Sequence, residues 1–234
     1  MQTATAHPPA SSASLFGKVL CVTERSEGGS EAVRQAALLA GAGGEVEPLA
    51  LAPDPTPHQV RAVLERCAGH GLLVLPAGPL ARTVLLRATI PVLVARRAPS
   101  GGVFPGSVLV AVDGTPEAHD AARLGARLAA REGATVALVA SPEHDAPHQS
   151  ALQHDAETVE RLSGRWPLIL DEHGAPAPSI LAAAASLEAS LIVLGSRPGR
   201  PVASVSCEVA EAARCSVLVL RPARSVSPPA AART

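Results

Sequence analysis

At 234 residues with 47% apolar side chains, the chain can fill one large core or two small ones. A formal net charge of -1, a single lysine and no tyrosine exclude the basic, aromatic surfaces that bind nucleic acid. No apolar run reaches the roughly 18 residues of a membrane helix; the nearest, residues 180–194, carries Glu188. The N-terminus, MQTATAHPPASSAS, lacks the basic-then-apolar pattern of a secretory leader. Cys21, Cys67, Cys207 and Cys215 show no C-x-x-C spacing, as expected of reduced, mostly buried thiols in a cytoplasmic protein.

In chain order, residues 1–16 are rich in Ser, Pro and Ala and read as a mobile tail. Strands follow at 19–22, 46–51, 72–75 and 92–95, with helices near 31–40, 59–68 and 80–87. Between Leu51 and Gln59 there is no room for another helix and strand, so one αβ unit is missing from this half. Breaker residues mark 99–106 as a linker between units at 17–98 and 107–221.

The second unit repeats the first in fuller form. SVLVAVDGTPEAHDAARLGARLA at 107–129 matches KVLCVTERSEGGSEAVRQAALLA at 18–40, and both halves close on an apolar strand ending in arginine. Val108 to Val112 read as a strand covered on both faces. Thr115 then caps a helix with Pro116 in its first turn and Ala121, Leu124, Gly125 and Leu128 on its inner face. Further strands at 135–140, 167–170, 191–194 and 216–220 alternate with helices, one facing inward through Leu152, Ala156, Val159 and Leu162, one through Ile180, Ala184 and Leu187, and one at 204–214. Strict alternation predicts an open parallel sheet covered by helices. Residues 222–234 read as a second mobile tail.

In such sheets ligands bind beyond the carboxyl ends of the strands, where strand order reverses. That edge of the second unit carries Asp113-Gly114 and Gly195-Ser196, with a helix starting near Ser204. A carboxylate opposite a helix N-terminus can hold a ribose or amine at one end and phosphate at the other. The same residues equally suit a simple turn and an N-cap.

VLVAVDGTPEA, HGAPAPSIL, LIVLGS and ASVSCEVAEAARCSVLVLR, in that order, resemble the successive signatures of the universal stress protein family across the whole second unit. The resemblance implies an α/β fold of two tandem open parallel-sheet domains, of the adenine-nucleotide alpha-hydrolase-like type, each with strand order 3-2-1-4-5. It also implies packing as an internal pseudo-dimer through the last strands, 92–95 and 217–220, with a further homodimer as a possible assembly. Nucleotide-binding members carry G-x2-G-x9-G-[ST] after the fourth strand. By that resemblance Asp113 stands beside the nucleoside, Leu194 and Gly195 open the phosphate loop, Gly199 is its second glycine, and Ser204 and Val205 close it. The site is expected between Asp113, Val139, Gly195 and Ser204, in the second unit only. ATP, ADP or AMP is the implied ligand. The departures are plain: Gly199 comes one position late, Ala203 stands where the last glycine belongs, and Ser204 follows Gly195 by nine positions rather than fourteen. Pro198 and Pro201 stiffen this short loop, while Arg197 and Arg200 add charge to it. In the first unit Thr23-Glu24 replaces Asp-Gly and no phosphate loop remains, so that half is read as architectural.

Other constellations carry less. Ser26-Glu-Gly-Gly-Ser30 resembles the S-G-G-x-D-S pyrophosphate loop of ATP-pyrophosphatases but reads as a helix-capping turn. His144, His148 and His154 with Asp145 and Asp155 read as a solvated loop and helix rather than a metal site. With no Ser-His-Asp order, paired carboxylates or G-x-x-x-x-G-K-[ST] loop, no enzyme is indicated. The expected function is a non-catalytic stress-response regulator that senses an adenine nucleotide and acts on a protein partner. The alternative is a scaffold module of the same fold that binds no nucleotide.

Overall fold

The predicted alternation of strands and helices is present. The computed structural model describes residues 14–52, 56–140, 146–196 and 205–221. The first half runs β1 (Lys18–Thr23), α1 (Glu27–Ala40), β2 (Glu45–Ala50), α2 (Pro57–Arg66), β3 (Leu72–Pro76), α3 (Pro79–Arg87) and β4 (Val92–Ala95). After a 3-10 turn (Pro99–Gly101) come β5 (Ser107–Val112), α4 (Pro116–Glu132), β6 (Thr135–Ala140), α5 (Ala146–Ser163) and β7 (Leu168–Asp171). The chain closes with α6 (Pro176–Ser186), β8 (Leu191–Gly195), α7 (Val205–Ala212) and β9 (Ser216–Leu220).

All strands join one nine-stranded sheet in the order β2-β1-β3-β4-β9-β8-β5-β6-β7. Its second half has the expected 3-2-1-4-5 order; the first lacks the third strand and the helix before it, matching the short stretch between Leu51 and Gln59. Every pairing is parallel except the central one, where β4 meets β9 antiparallel with Leu93 opposite Leu218. The last strands of the two halves thus pair as the resemblance implied.

The core follows from the residues in these strands. β3, β4 and β9 are buried along their whole lengths, so Val, Leu and Ala face helices on both sides. One face is covered by α1, α4 and α5, the other by α2, α3, α6 and α7, and both layers run unbroken across the β4–β9 seam. Burial pushes the thiols of Cys21, Cys67 and Cys215 up to about 11, as expected of packed, unreactive cysteines.

Local signals explain the boundaries. Thr115 caps α4, its hydroxyl accepting from Ala118 N at 3.3 Å. α1 begins at Glu27, earlier than its apolar stripe predicts, because Ser26 is the cap and accepts from Gly29 N at 3.0 Å. Ser26-Glu-Gly-Gly-Ser30 is therefore a capping turn. Gly29 serves packing: a Cβ there would run into the Glu24 carbonyl.

Two segments are more structured than the sequence suggested. Leu15 and Phe16, assigned to the tail, pack against the core. Phe104, inside the expected linker, is fully buried in the layer shared by both halves, with the Arg34 guanidinium 6.0 Å from its ring centre. The halves are not beads on a tether. A buried polar network adds to the seam: Gln35 Nε2 donates to the Arg96 carbonyl (2.8 Å), and the Ser216 hydroxyl bonds Gln35 Oε1 (2.8 Å) and the same carbonyl (2.9 Å).

The sheet edges differ. On β2, Glu47 accepts from Lys18 and Arg66, which hold its carboxyl down to about 2, and Pro48 removes a ladder donor. On β7, Leu168 and Ile169 remain exposed.

Candidate functional site

β5 lies between β6 and β8, and β8 lies between β5 and β9. Asp113, Gly195-Ser196 and Arg221 therefore follow adjacent strands along one carboxyl edge. The edge is also the point where strand order reverses, since α4 and α6 cover opposite faces.

Asp113 is exposed, and its Oδ1 accepts from Thr115 N (3.1 Å) and from the Thr115 hydroxyl. The aspartate thus shapes the turn that caps α4 while sitting at the mouth of the crevice. Gly114 takes a left-handed φ of 73°, which favours glycine. Val139 and Leu194 are 2% and 3% exposed, with their side chains in the core layer beneath α6 and α7, so only their main chain borders the crevice. Val205 is the first residue of α7 and is 36% exposed. Gly199 and Ser204, with Arg197 and Arg200, lie outside the described residues.

Gly195 has a packing role the motif does not reveal. A Cβ there would lie 2.5 Å from the Glu117 carbonyl carbon and 2.8 Å from Ala118 N. Glycine lets the first turn of α4 rest directly on the end of β8. The first half makes no such close approach at the corresponding place. Pro76 ends its corresponding strand and the glycine is on the helix, Gly28, whose Cβ would sit 3.4 Å from Pro76 Cβ.

The charge at this edge is not evident from the sequence. Ser196, 7% exposed, donates its N–H to the Leu220 carbonyl (3.1 Å) and accepts from Arg221 Nη1 (2.8 Å). The Arg221 Nε is buried without a hydrogen-bond partner, and no described carboxylate pairs with the guanidinium. Burial works against its charge and lowers its pKa. An arginine ending both last strands is visible in the sequence; that it turns back over the residue after Gly195 is not.

A second group stands beside Asp113. Asp155 on α5 is 1% exposed and bonds His119 Nδ1 at 2.6 Å, while its Oδ2 is buried without a partner. The His154 ring meets that of His119 edge-on at 5.5 Å. His144, Asp145 and the His148 side chain lie outside the described residues, and among the described residues no three His, Cys, Asp or Glu converge as metal ligands. Burial is the largest influence on Asp155 and pushes its carboxyl above the ordinary value, with His119 pulling the other way. Raised in the folded state, the group favours folding at pH below its unfolded value of about 4 and loses that contribution as pH rises through the folded value. Asp155→Asn, which can still accept from His119, should therefore flatten the dependence of unfolding free energy on pH above about 4. Urea titrations at a series of pH values check this; an unchanged slope would contradict it.

Residues 106–221 match the family model described as the universal stress protein family. The second half of the chain is thus a domain of that family, and its strand order is the one the resemblance implied. A universal stress protein from Archaeoglobus fulgidus is similar over 87% of this chain and 96% of its own, with 18% identity and a TM-score of 0.67. A functionally unknown protein from Pseudomonas aeruginosa is similar over 90% of this chain and 94% of its own, with 20% identity and a TM-score of 0.64. At these identities the likeness is one of fold. A universal stress protein in complex with cAMP covers 49% of this chain and 95% of its own at 21% identity, with a TM-score of 0.46, too low to transfer its ligand. Comparison of the sequence with curated proteins gives no match. No helix among the described residues is long and apolar enough to cross a membrane.

Proposed function

We propose that the second half binds an adenine nucleotide at the β5–β8 crevice, and that occupancy alters contacts with a protein partner without turnover. On this reading the chain is two tandem units, 17–98 and 107–221, joined through 99–106 and flanked by tails at 1–16 and 222–234. Asp113 meets the nucleoside, the main chain at Val139, Leu194 and Gly195 lines the crevice, and Gly199, Ser204 and Val205 lead the phosphates to the start of α7. The observation that carries the reading is Arg221. Among the described residues no carboxylate pairs with this partly buried guanidinium, a situation that an anion would relieve, and Ser196 fixes it just beyond the end of β8. It adds positive charge beside the start of the shortened loop.

The loop length favours AMP or ADP over ATP. Phosphoryl transfer needs in-line positioning and charge on the leaving phosphate. The single lysine, Lys18, is bound to Glu45 and Glu47 at the opposite end of β1 and supplies none. Four free, buried cysteines agree with a reducing, cytoplasmic location.

One observation favours a second reading, an interaction module without nucleotide: the Asp113 carboxylate already serves the Thr115 turn. Mass spectrometry of small molecules released by denaturing the freshly purified chain separates the two. AMP or ADP in near-stoichiometric amount supports the nucleotide reading. Absence of any adenine nucleotide, with no uptake when one is added, supports the module.

A further inference from the structure

The sheet ends on β2 at one side and β7 at the other, and an edge strand offers a row of backbone N–H and C=O groups to any strand laid beside it. β2 is defended against this. Glu45 and Glu47 place charge along it, Lys18 and Arg66 gather on Glu47, and Pro48 removes a donor. β7 opens instead on Leu168, Ile169 and Leu170, with Asp171 only at its end. Leu168 is 52% exposed and Ile169 38%. Trp166, the single tryptophan, lies two residues ahead of Leu168 and is 47% exposed.

The pleat decides what kind of partner fits. Leu170 packs into the layer that contains α6 and α7, so Leu168, two positions earlier, points to the same side. Ile169 points to the other side, where α5 lies. Apolar side chains are therefore open on both faces of the sheet at once. A helix docked on one face would cover only one of them. A strand added to the edge flanks both and meets the backbone groups as well.

Charge selects the strand. Arg165 precedes β7, while Asp171 ends it and Glu172 follows. A parallel copy of β7 would set like charges side by side, whereas an antiparallel copy sets opposite charges together. Directly opposite residues in an antiparallel pair share a face, so a two-fold axis perpendicular to the sheet allows only registers that step by two residues. With Leu168 opposite its own counterpart, Arg165 of each copy stands opposite Asp171 of the other, and Trp166 opposite Leu170. Sliding by one step places Arg165 opposite Ile169 or His173 and loses the match.

We propose that β7 is a homodimerisation edge, pairing antiparallel with β7 of a second copy about Leu168, so that two nine-stranded sheets become one. The contact is isologous and closes at two copies. It is separate from the β4–β9 seam, which joins the halves of one chain, and is independent of what the β5–β8 crevice holds. A short strand with few apolar side chains makes a small interface, so the assembly is reversible, with micromolar affinity.

Sedimentation velocity of the full chain from about 1 to about 200 µM tests this, on the wild type, Leu168→Lys, Arg165→Asp and the exchanged pair Arg165→Asp with Asp171→Arg. The wild type should pass from monomer to dimer across the series. Leu168→Lys should raise the dissociation constant about tenfold or more and Arg165→Asp about fivefold, and the exchanged pair should regain most of the wild-type affinity. Trp166 emission should move to shorter wavelength as the wild type assembles and stay constant in Leu168→Lys. Leu168 and Arg165 are exposed, so both single variants should keep the wild-type circular dichroism, and Leu168→Lys decides even if Asp171→Arg disturbs the fold. A wild type that stays monomeric throughout would overturn the proposal and leave the edge to an extended segment of another protein. A dimer indifferent to Leu168→Lys, or a folded exchanged pair no tighter than Arg165→Asp alone, would overturn it equally.

Discussion

Gly195→Ala should destabilise the protein by about 2–4 kcal/mol, whereas Gly28→Ala should be neutral or slightly stabilising. Both glycines sit where the first helix of a half meets the end of a neighbouring strand, but the atoms they would meet differ. The added methyl at Gly195 falls 2.5–2.8 Å from backbone atoms of Glu117 and Ala118, which cannot move without lifting the first turn of α4 from the sheet. At Gly28 the nearest atom is Pro76 Cβ at 3.4 Å, an ordinary contact, and alanine is the better helix former. Urea unfolding of the two variants checks the contrast. Equal stability changes would mean that the close approach of α4 to β8 is not what holds glycine at 195.

Phe104→Ala should cost about 3–5 kcal/mol, as expected for emptying a fully buried aromatic site, and the loss should be felt by both halves together. Phe104 is 0% exposed and belongs to the same core layer as Val19, Leu72 and Leu93 of the first half and Val108 and Leu218 of the second. One cooperative transition should remain, shifted to lower denaturant, because the sheet and both helix layers continue across β4 and β9. Two resolved transitions in the wild type, or a Phe104→Ala effect confined to one of them, would contradict this description of the seam.

Much of this architecture is legible in the residues. Apolar runs such as 108–112 and 216–220 are unambiguous because strands buried on both faces need no polar alternation. The missing unit is legible from the short stretch between Leu51 and Gln59, whereas the central pairing is what the family resemblance implies for the two last strands. What the sequence hides is what depends on distant partners. Phe104 sits among Gly and Pro, so composition marks a linker while the fold uses it as a core plug. Asp155 resembles any helix carboxylate until α5 packs its face against His119. Arg96 and Arg221 occupy corresponding positions, yet Arg96 reaches carbonyls near the end of α7 and Arg221 reaches Ser196, a difference set by what lies beside each strand end. The motif also credits Gly195 with phosphate approach alone, when helix packing already demands it.

Central to the function proposed for this chain is a second half that holds a nucleotide of few phosphates without hydrolysing it. Calorimetric titration with AMP, ADP and ATP, alongside a phosphate-release assay, tests it on the wild type, Asp113→Asn and Arg221→Gln. AMP or ADP should bind at least as tightly as ATP, either substitution should lower affinity about tenfold or more, and no magnesium-dependent phosphate release should occur. Absence of binding by all three, tightest binding of ATP with turnover, or affinity unchanged in both variants would contradict it.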